Sequence, residues 1–248
     1  MTQPGMPAID HIVVLVHDLE RATDELKSAG FTVLQRADRA EKPGSRFRFV
    51  SFRDGSYLLL NAFSPEAMAS HRLGPLLHEK QGWGDWSVVV PDLDAAITRA
   101  RAHGITLGPV NDVRNVLATG EEWGLRLLVS GRGSKGDPAL PFIVQDTQGR
   151  EARIPGPADN ANGARGIADL TIAAEDPLGT AGRLAALIDL PAPDTPTLTL
   201  AGDVTLRFVP TRPTARGTAR IGGPVAVSFR GLDTDISIAD WAVASAAA

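Results

Sequence analysis

The sequence predicts an α+β protein built from repeated β-α-β-β-β units, and three observations support this class. A polar residue followed by an apolar, strand-like run occurs three times, beginning at His11, Asp85 and Asp169. Each run ends in an acid and leads into a stretch with helical character. Short β-prone runs bounded by turn residues then follow. Because one such unit has a helix on only one face of its sheet, two units are expected to pair through the other face.

The acids that end the three apolar runs mark the predicted helix starts. Asp18, Asp92 and Asp176 stand where a carboxylate would accept hydrogen bonds from the first free N–H groups of a helix. Gly30 and Gly104 stand where the first two helices are expected to end. The repeat therefore combines a strand, a cap and a helix in the same order each time.

Three strands are predicted after each helix. In unit one they cover residues 31–35, 46–52 and 57–63, with Asp54 and Gly55 as a hairpin turn. In unit two they cover residues 105–110, 123–130 and 141–145. In unit three they cover residues 198–200, 204–209 and 224–229.

The units also predict the domain organisation. Units one and two, about residues 8–63 and 84–147, form a domain over residues 1–153. Residues 154–166 are rich in Pro, Gly and Asn and form a linker, and residues 167–248 form a third, similar unit. Since an odd unit leaves one sheet face uncovered, the third unit is expected to pack beside the others or to pair with its copy in a homodimer.

Composition limits the classes of function. The chain has 248 residues, a net charge of -4 and a pI near 5.7, which indicates no basic face for nucleic acid. The N-terminal apolar run is too short for a signal peptide or a membrane span, so we expect a cytoplasmic protein without a membrane partner. The absence of cysteine excludes disulfides, thiolate metal sites and cysteine nucleophiles.

The residues resemble those of the vicinal-oxygen-chelate superfamily, which includes glyoxalase I, extradiol dioxygenases and bleomycin-binding proteins. Within it the chain looks most like the glyoxalase-like domain family, over roughly residues 8–150. The segments that carry the resemblance are Asp10 with His11, residues 55–60, residues 86–89, residues 92–94, residues 123–127 and residues 140–145. The resemblance implies that units one and two pair into a cup around a small molecule.

The resemblance also implies one divalent metal ion, held by the first and last strands of both units. Such an ion would polarise two neighbouring oxygens of a substrate. His11 and Asp85 occupy the two first-strand positions, whereas Leu59 stands where a glutamate is expected and cannot bind a cation. Gln145 falls near the other expected carboxylate and is a poor ligand. Since about three or four ligands are normal for a catalytic cation, the sequence predicts a degenerate metal site.

His11 and Asp85 each have two interpretations. His11 is either a metal ligand or general base of the reaction, or a histidine packed and hydrogen-bonded in a half-polar cavity. Asp85 is either its catalytic and metal-binding partner or an aspartate that starts a strand after Gly84.

A second group of residues is predicted to contact the small molecule. Aromatic walls with a few polar groups suit a small, partly apolar ligand. The predicted substrate-binding residues are Phe47, Phe49, Tyr57, Trp123, Arg126 and Gln145. The alternative is that the aromatic residues are ordinary core and that Arg126, a possible bidentate partner for a carboxylate, faces solvent.

Two functions follow from these residues. The first is an enzyme of the lyase, isomerase or dioxygenase type that acts on a small oxygenated molecule. The second is metal-free binding or sequestration of such a molecule, which explains Leu59 directly. The glycine-rich stretch 131–136 resembles a phosphate loop in composition but lacks the Walker spacing, so we interpret it as a mobile loop between two strands.

Overall fold

The computed structural model of the protein describes residues 6–39, 44–212 and 221–232. Unit one contains β1 (Ala8–Leu15), α1 (Leu19–Ser28), β2 (Ser45–Ser51) and β3 (Tyr57–Phe63). The short helices α2 (Pro65–Ser70) and α3 (Gly74–Glu79) connect it to unit two. Unit two contains β4 (Gly82–Val89), α4 (Leu93–Ala102), β5 (Val110–Val116), β6 (Glu122–Val129) and β7 (Phe142–Gln148), followed by the short helix α5 (Arg150–Arg153). Unit three contains β8 (Gly166–Ala174), α6 (Pro177–Ile188), β9 (Thr197–Leu200), β10 (Val204–Pro210) and β11 (Gly223–Arg230).

The three predicted helix starts are confirmed. The Asp18 carboxylate accepts hydrogen bonds from two backbone N–H groups of the first turn of α1, at 3.1 and 3.0 Å. Asp92 accepts from the N–H of Ala95 at 2.9 Å, and Asp176 accepts from the N–H of Gly179 at 3.0 Å. Each acid therefore satisfies backbone donors that have no partner within the helix.

Units one and two share a single curled sheet of seven strands, in the order β2-β3-β1-β4-β7-β6-β5. The first strands of the two units, β1 and β4, lie antiparallel at its centre. The last strand of each unit runs parallel to its own first strand, β3 beside β1 and β7 beside β4. The predicted cup of two paired units is confirmed, and its axis is the β1–β4 pair.

Two predicted strands differ from the structure. Residues 31–35 form only an isolated bridge between Leu34 and Phe49. The strand predicted at residues 105–110 lies later, as β5, because the buried Ile105 packs in the core within the loop after α4. β5 is the polar, largely exposed edge strand of the sheet, so it shows no alternation of apolar and polar residues.

The segment 34–39 joins the two edges of the curled sheet. It bridges to β2 through Leu34 and to the turn between β5 and β6 through a bridge of Asp38 with Leu117. Between these points the Arg36 guanidinium lies 5.2 Å from the Phe49 ring centroid and 4.4 Å from that of Trp123. The segment therefore closes the open side of the cup.

Unit three adds a four-stranded sheet, in the order β11-β8-β10-β9. β11 packs along β4, and α6 packs against α4. One hydrophobic core contains Ile12 of β1, Ala96 of α4, Ile172 of β8 and Leu184 of α6, all fully buried. Unit three therefore packs beside the first two units in the same chain. This is the first of the two arrangements that the sequence led us to expect.

No helix within the described ranges is both long enough and apolar enough to cross a membrane.

Candidate functional site

The inner face of the cup brings His11 between two aromatic rings. His11 on β1 pairs in register with Tyr57 on β3, and their rings stack with centroids 4.5 Å apart. Phe142 of β7 meets the His11 ring edge-on at 5.2 Å. Val13 and Leu15 continue the same face of β1 in a second hydrophobic cluster that fills one end of the cup. The predicted inward orientation of β1 thus places His11 at the floor of the cup.

Asp10 is the hydrogen-bonding partner of His11. A register shift in the β1–β4 pair lies between Ile9 and His11, so Asp10 is an extra, unpaired residue of a β-bulge. Its side chain is fully buried, and its Oδ2 lies 2.7 Å from the Nδ1 of His11. The bulge therefore lets two consecutive side chains meet, which the alternation of a regular strand would prevent.

Two arginines of the short helix α5 complete the floor. Arg153 donates to both oxygens of Asp10, at 2.9 and 3.1 Å, and to the hydroxyl oxygen of Tyr57 at 2.8 Å. Arg150 donates to Asp10 at 2.6 Å. Asp146, at the end of β7, accepts from each arginine at 2.7 Å. Two carboxylates and two guanidinium groups therefore balance each other around His11.

Burial and these charges determine the protonation states of the side chains at the floor of the cup. Burial raises the pKa of Asp10, but Arg153 and the His11 hydrogen bond outweigh it and hold that pKa well below its usual range. Burial lowers the pKa of His11 despite the opposing effect of Asp10. Burial likewise raises the pKa of Tyr57. His11 is therefore a neutral imidazole whose Nδ1–H donates to Asp10, which leaves a lone pair on Nε2.

Asp85 is buried but does not bind His11. It forms an ion pair with the Nη1 of Arg72 and accepts a 2.9 Å hydrogen bond from the backbone N–H of Trp86. Arg72 comes from the turn between α2 and α3, and its guanidinium lies 5.0 Å from the centroid of the Phe142 ring. The second predicted catalytic residue is thus neutralised by Arg72 and makes no hydrogen bond to His11.

The predicted substrate-binding residues divide between the two faces of the sheet. Phe49, Tyr57 and Trp123 are buried in the cup, and Phe47 is half-buried on β2. Arg126 instead forms a bidentate ion pair with Asp94 of α4, at 2.8 and 2.9 Å. The Gln145 side chain donates to the Pro91 carbonyl at 2.7 Å.

The expectation that Arg126 and Gln145 line the cup is therefore corrected. On β7, Phe142 and Val144 point into the cup, so Gln145, which shares its face of the strand with Ile143, points to the helix side. On β6, Trp123 and Leu125 face the cup and Arg126 faces α4. The periodicity of two that places the aromatic residues inside places both polar residues outside.

Four arginines of the cup, at positions 36, 72, 150 and 153, were not predicted from the sequence. For two of them a signal was present. Arg150 and Arg153 are three residues apart directly after a strand, a spacing that puts both side chains on one face of a helix. Arg36 and Arg72 lie in irregular segments, where no periodicity indicates the direction of a side chain.

The residues do not fit the divalent metal that the resemblance implies. Leu59, opposite Val13 in the β1–β3 pair, offers no donor atom, and Gln145 points away from the cup. Asp85 is engaged by Arg72, so of the four expected ligand positions only His11, through its Nε2, still offers a free donor atom. Across the described ranges, no three His, Asp or Glu side chains converge in a way that could hold a metal ion.

The curled sheet, with the first strands of two paired units at its centre and their helices outside, is the vicinal-oxygen-chelate fold. The sequence profile of the family described as Glyoxalase-like domain matches residues 9–188, and the chain belongs to this family. No curated protein matches the chain by sequence.

Several solved structures are similar to this chain at low sequence identity. A hypothetical protein from Staphylococcus aureus is 12% identical, with 92% of this chain and 93% of that chain covered, at a TM-score of 0.61. A Streptomyces coelicolor methylmalonyl-CoA epimerase in complex with 2-nitronate-propionyl-CoA is 22% identical, with 56% and 97% covered, at 0.42. The Mycobacterium tuberculosis methylmalonyl-CoA epimerase is 18% identical, with 60% and 94% covered, at 0.44. The first of these extends the structural likeness over the third unit.

Proposed function

We propose that the protein binds a small, partly apolar, oxygen-bearing molecule in the cup without a divalent metal. The observation that carries this proposal is the ion pair of Asp85 with Arg72, in which a guanidinium engages the carboxylate that the family resemblance implies as a metal ligand. A guanidinium binds the oxygens of a carboxylate or carbonyl by directed hydrogen bonds, so it can orient an oxygenated ligand by itself.

The walls of the cup support this proposal. Phe49, Trp123 and Phe142 offer apolar surface, and Tyr57 adds an aromatic face beside His11. Two polar atoms on the same walls, Oδ1 of Asn61 and Nε1 of Trp123, are buried without a hydrogen-bonding partner in the described part of the chain. Since buried polar groups are normally satisfied, Asn61 offers an acceptor for a hydroxyl group of a ligand and Trp123 offers a donor for a carbonyl or carboxylate oxygen.

A melting experiment tests metal independence. Protein treated with EDTA is melted alone and with Zn²⁺, Mn²⁺, Ni²⁺ or Fe²⁺, and then with a panel of small aromatic and aliphatic oxo acids and diketones in EDTA. We expect a saturable rise in Tm from panel members and none from the metals, because only ligands of the folded form stabilise it. A saturable rise with a divalent ion that disappears in His11→Ala would restore the metal site.

A second candidate function, proton transfer by His11, is favoured by the Asp10–His11 pair. The Nε2 of His11 has no hydrogen-bonding partner among the described residues, and Asp10 would stabilise the imidazolium formed when Nε2 accepts a proton. Abstraction of a proton next to a carbonyl would leave the electron pair on the carbonyl oxygen, for Arg72 to stabilise. This is chemistry of the isomerase or lyase type.

Solvent deuterium distinguishes this candidate from binding alone. A panel compound that raises Tm is incubated with the protein in D2O, and incorporation next to its carbonyl is followed by NMR. We expect exchange in the wild type and at least a hundredfold less in His11→Gln, the usual scale for a general base. Equal exchange rates in both proteins, with binding retained, would leave sequestration as the function.

We further propose that the protein is a cytoplasmic homodimer that pairs through the open face of the third sheet. Asp169 and Arg207 form an ion pair on this face, with side chains 35% and 57% exposed. Sedimentation of the wild type and of Arg207→Glu, which places two acids side by side, tests the pairing. A monomer at all concentrations contradicts the proposal.

A further inference from the structure

We infer that Arg72, Lys80 and Arg132 form a binding site for an oxyanion, a phosphate or carboxylate group. The site lies where the end of α3, the glycine-rich loop 131–136 and the start of β11 meet. The inference goes beyond the proposed function, because it stands whether or not an apolar molecule occupies the cup.

The glycine-rich loop holds Arg72 and Arg132 together. Gly133 has a φ of +95°, and a Cβ added there would lie 3.1 Å from the Cβ of Arg72, so the loop backbone packs directly on the arginine stem. The Nη1 of Arg72 donates to the carbonyl of Arg132 at 3.0 Å. The loop itself is closed by a 3.0 Å hydrogen bond from the N–H of Ser134 to the carbonyl of Gly131. Two guanidinium groups are thereby brought to one corner of the molecule.

Arg132 lacks a carboxylate partner of its own. Its Nη2 donates to the backbone carbonyl of Gly222, just before β11. Its Nε is buried and has no hydrogen-bonding partner among the described residues. Asp85, the acid that acts on Arg132 among the described residues, is engaged by Arg72 and makes no ion pair with Arg132.

Lys80 adds a third cation to the same corner. It follows α3 and is only partly exposed, and its side chain makes no hydrogen bond or ion pair with any described residue. Burial and then repulsion by Arg132 lower the pKa of Lys80 to about 8. Burial also lowers the pKa of Arg132. Arg132 therefore destabilises the charged form of Lys80, and Arg72 destabilises that of Arg132.

An oxyanion would relieve this imbalance. Buried charge is costly unless it is paired, and arginine pairs match the geometry of phosphate and carboxylate oxygens. The Arg72 side chain is 22% exposed, so the corner can be reached from solvent. Its guanidinium also contacts Phe142 of the cup, which places the anion beside the cup wall.

Melting with simple anions tests the site. The protein is melted in Tris buffer at constant ionic strength, with chloride exchanged stepwise for inorganic phosphate or for acetate. We expect a saturable rise in Tm with one or both anions, of about 3–6 °C at ten times the dissociation constant. The two arms separate phosphate from carboxylate as the preferred group. No saturable response to either anion overturns the inference.

Lys80→Gln and Arg132→Gln are expected to weaken the response at least tenfold. Lys135→Gln removes the same charge from an exposed position of the same loop and should respond like the wild type. Equal responses in all variants would reveal a general salt effect and overturn the site.

A second measurement tests the site without the Arg132→Gln variant, so the test stands even where that variant does not fold. The chain has four lysines, so ¹³C-methylated lysine signals can be assigned by substitution. Phosphate or acetate should shift the Lys80 signal with saturation and leave that of Lys135 in place. An unmoved Lys80 signal contradicts the inference.

Discussion

Asp10 is a carboxylate with no solvent exposure that receives hydrogen bonds from His11, Arg150 and Arg153. Such a group stays ionised only because its partners are fixed in place. The β-bulge holds His11 against Asp10, and helix α5 holds the two arginines against it. The protonation state of His11 therefore depends on a helix whose Arg150 lies 140 positions from Asp10 in the sequence.

Asp10→Asn should therefore destabilise the protein by about 3–5 kcal/mol, because Arg150 and Arg153 would then share Asp146 and one buried positive charge would lose its compensation. The control is Asp169→Asn, which removes an exposed ion pair with Arg207 and should cost no more than about 1 kcal/mol. Urea denaturation measures both. Similar losses in the two variants would show that the buried pair contributes nothing beyond a surface pair.

The lowered pKa of His11 predicts the direction of a pH effect. In the unfolded chain His11 takes up a proton as the pH falls through about 6.5, whereas in the folded protein burial keeps it neutral to a lower pH. Stability should thus be fully present above that value and fall below it, by at most about 1.4 kcal/mol per pH unit. His11→Gln should remove this part of the slope between pH 7 and 5, measured by urea denaturation. An unchanged slope would show that other groups cause it.

At the residue scale, the sequence pattern predicted the inward direction of some aromatic side chains and of His11, but not the outward direction of Arg126 and Gln145. His11, Tyr57 and Trp123 share the cup because alternation and repeat position both predict it. It missed the role of Asp10 because a bulge breaks that alternation without a sequence signal. The arginine partners belong to loops and a four-residue helix, where the direction of a side chain depends on tertiary packing.

At the scale of single elements, α5 depends on the glycine before it. Gly149 has a φ of +59°, and a Cβ there would lie 2.1 Å from the carbonyl oxygen of Glu122. This close approach to β6 is what turns the chain from β7 into α5, and it directs Arg150 and Arg153 toward Asp10.

Gly149→Ala should therefore displace α5 and cost more than the roughly 1 kcal/mol of left-handed strain alone. Gly104→Ala is the matched control, since Gly104 has a φ of +63° and nothing within 4 Å of an added Cβ. Urea denaturation gives the stabilities, and the NMR signal of His11 reports the floor of the cup. A shift of that signal is expected only in Gly149→Ala, and equal effects of both substitutions would contradict the argument.

Elements were predictable where burial imposes a period. The capped helices and the strands of unit three agree with the sequence pattern because one face of each is buried. β5 was misplaced because it is a polar edge strand, held by pairing with β6 rather than by its own apolar face. The closing segment 34–39 has no repeat partner, so only the structure reveals it.

At the scale of the whole molecule, the third unit shares its core with the first two. α6 packs on α4 and β11 packs along β4, so the helices that cover the back of the cup are themselves covered by unit three. The sequence repeat predicts three similar units but does not determine which faces they bury against each other. Removing unit three would expose the apolar side of α4, so the cup and the third unit are expected to unfold together.

Leu184→Ala tests this cooperativity. Leu184 of α6 is fully buried in the shared core, so the cavity should cost about 2–5 kcal/mol. Three of the four tryptophans lie in units one and two, so their fluorescence reports mainly on the cup, whereas circular dichroism reports on all helices. Both denaturation midpoints should fall by the same amount. Leu178→Ala, on the same helix but 46% exposed, should leave both nearly unchanged. If circular dichroism alone shifted in Leu184→Ala, the third unit would be an independently folding domain and the shared core would not couple it to the cup.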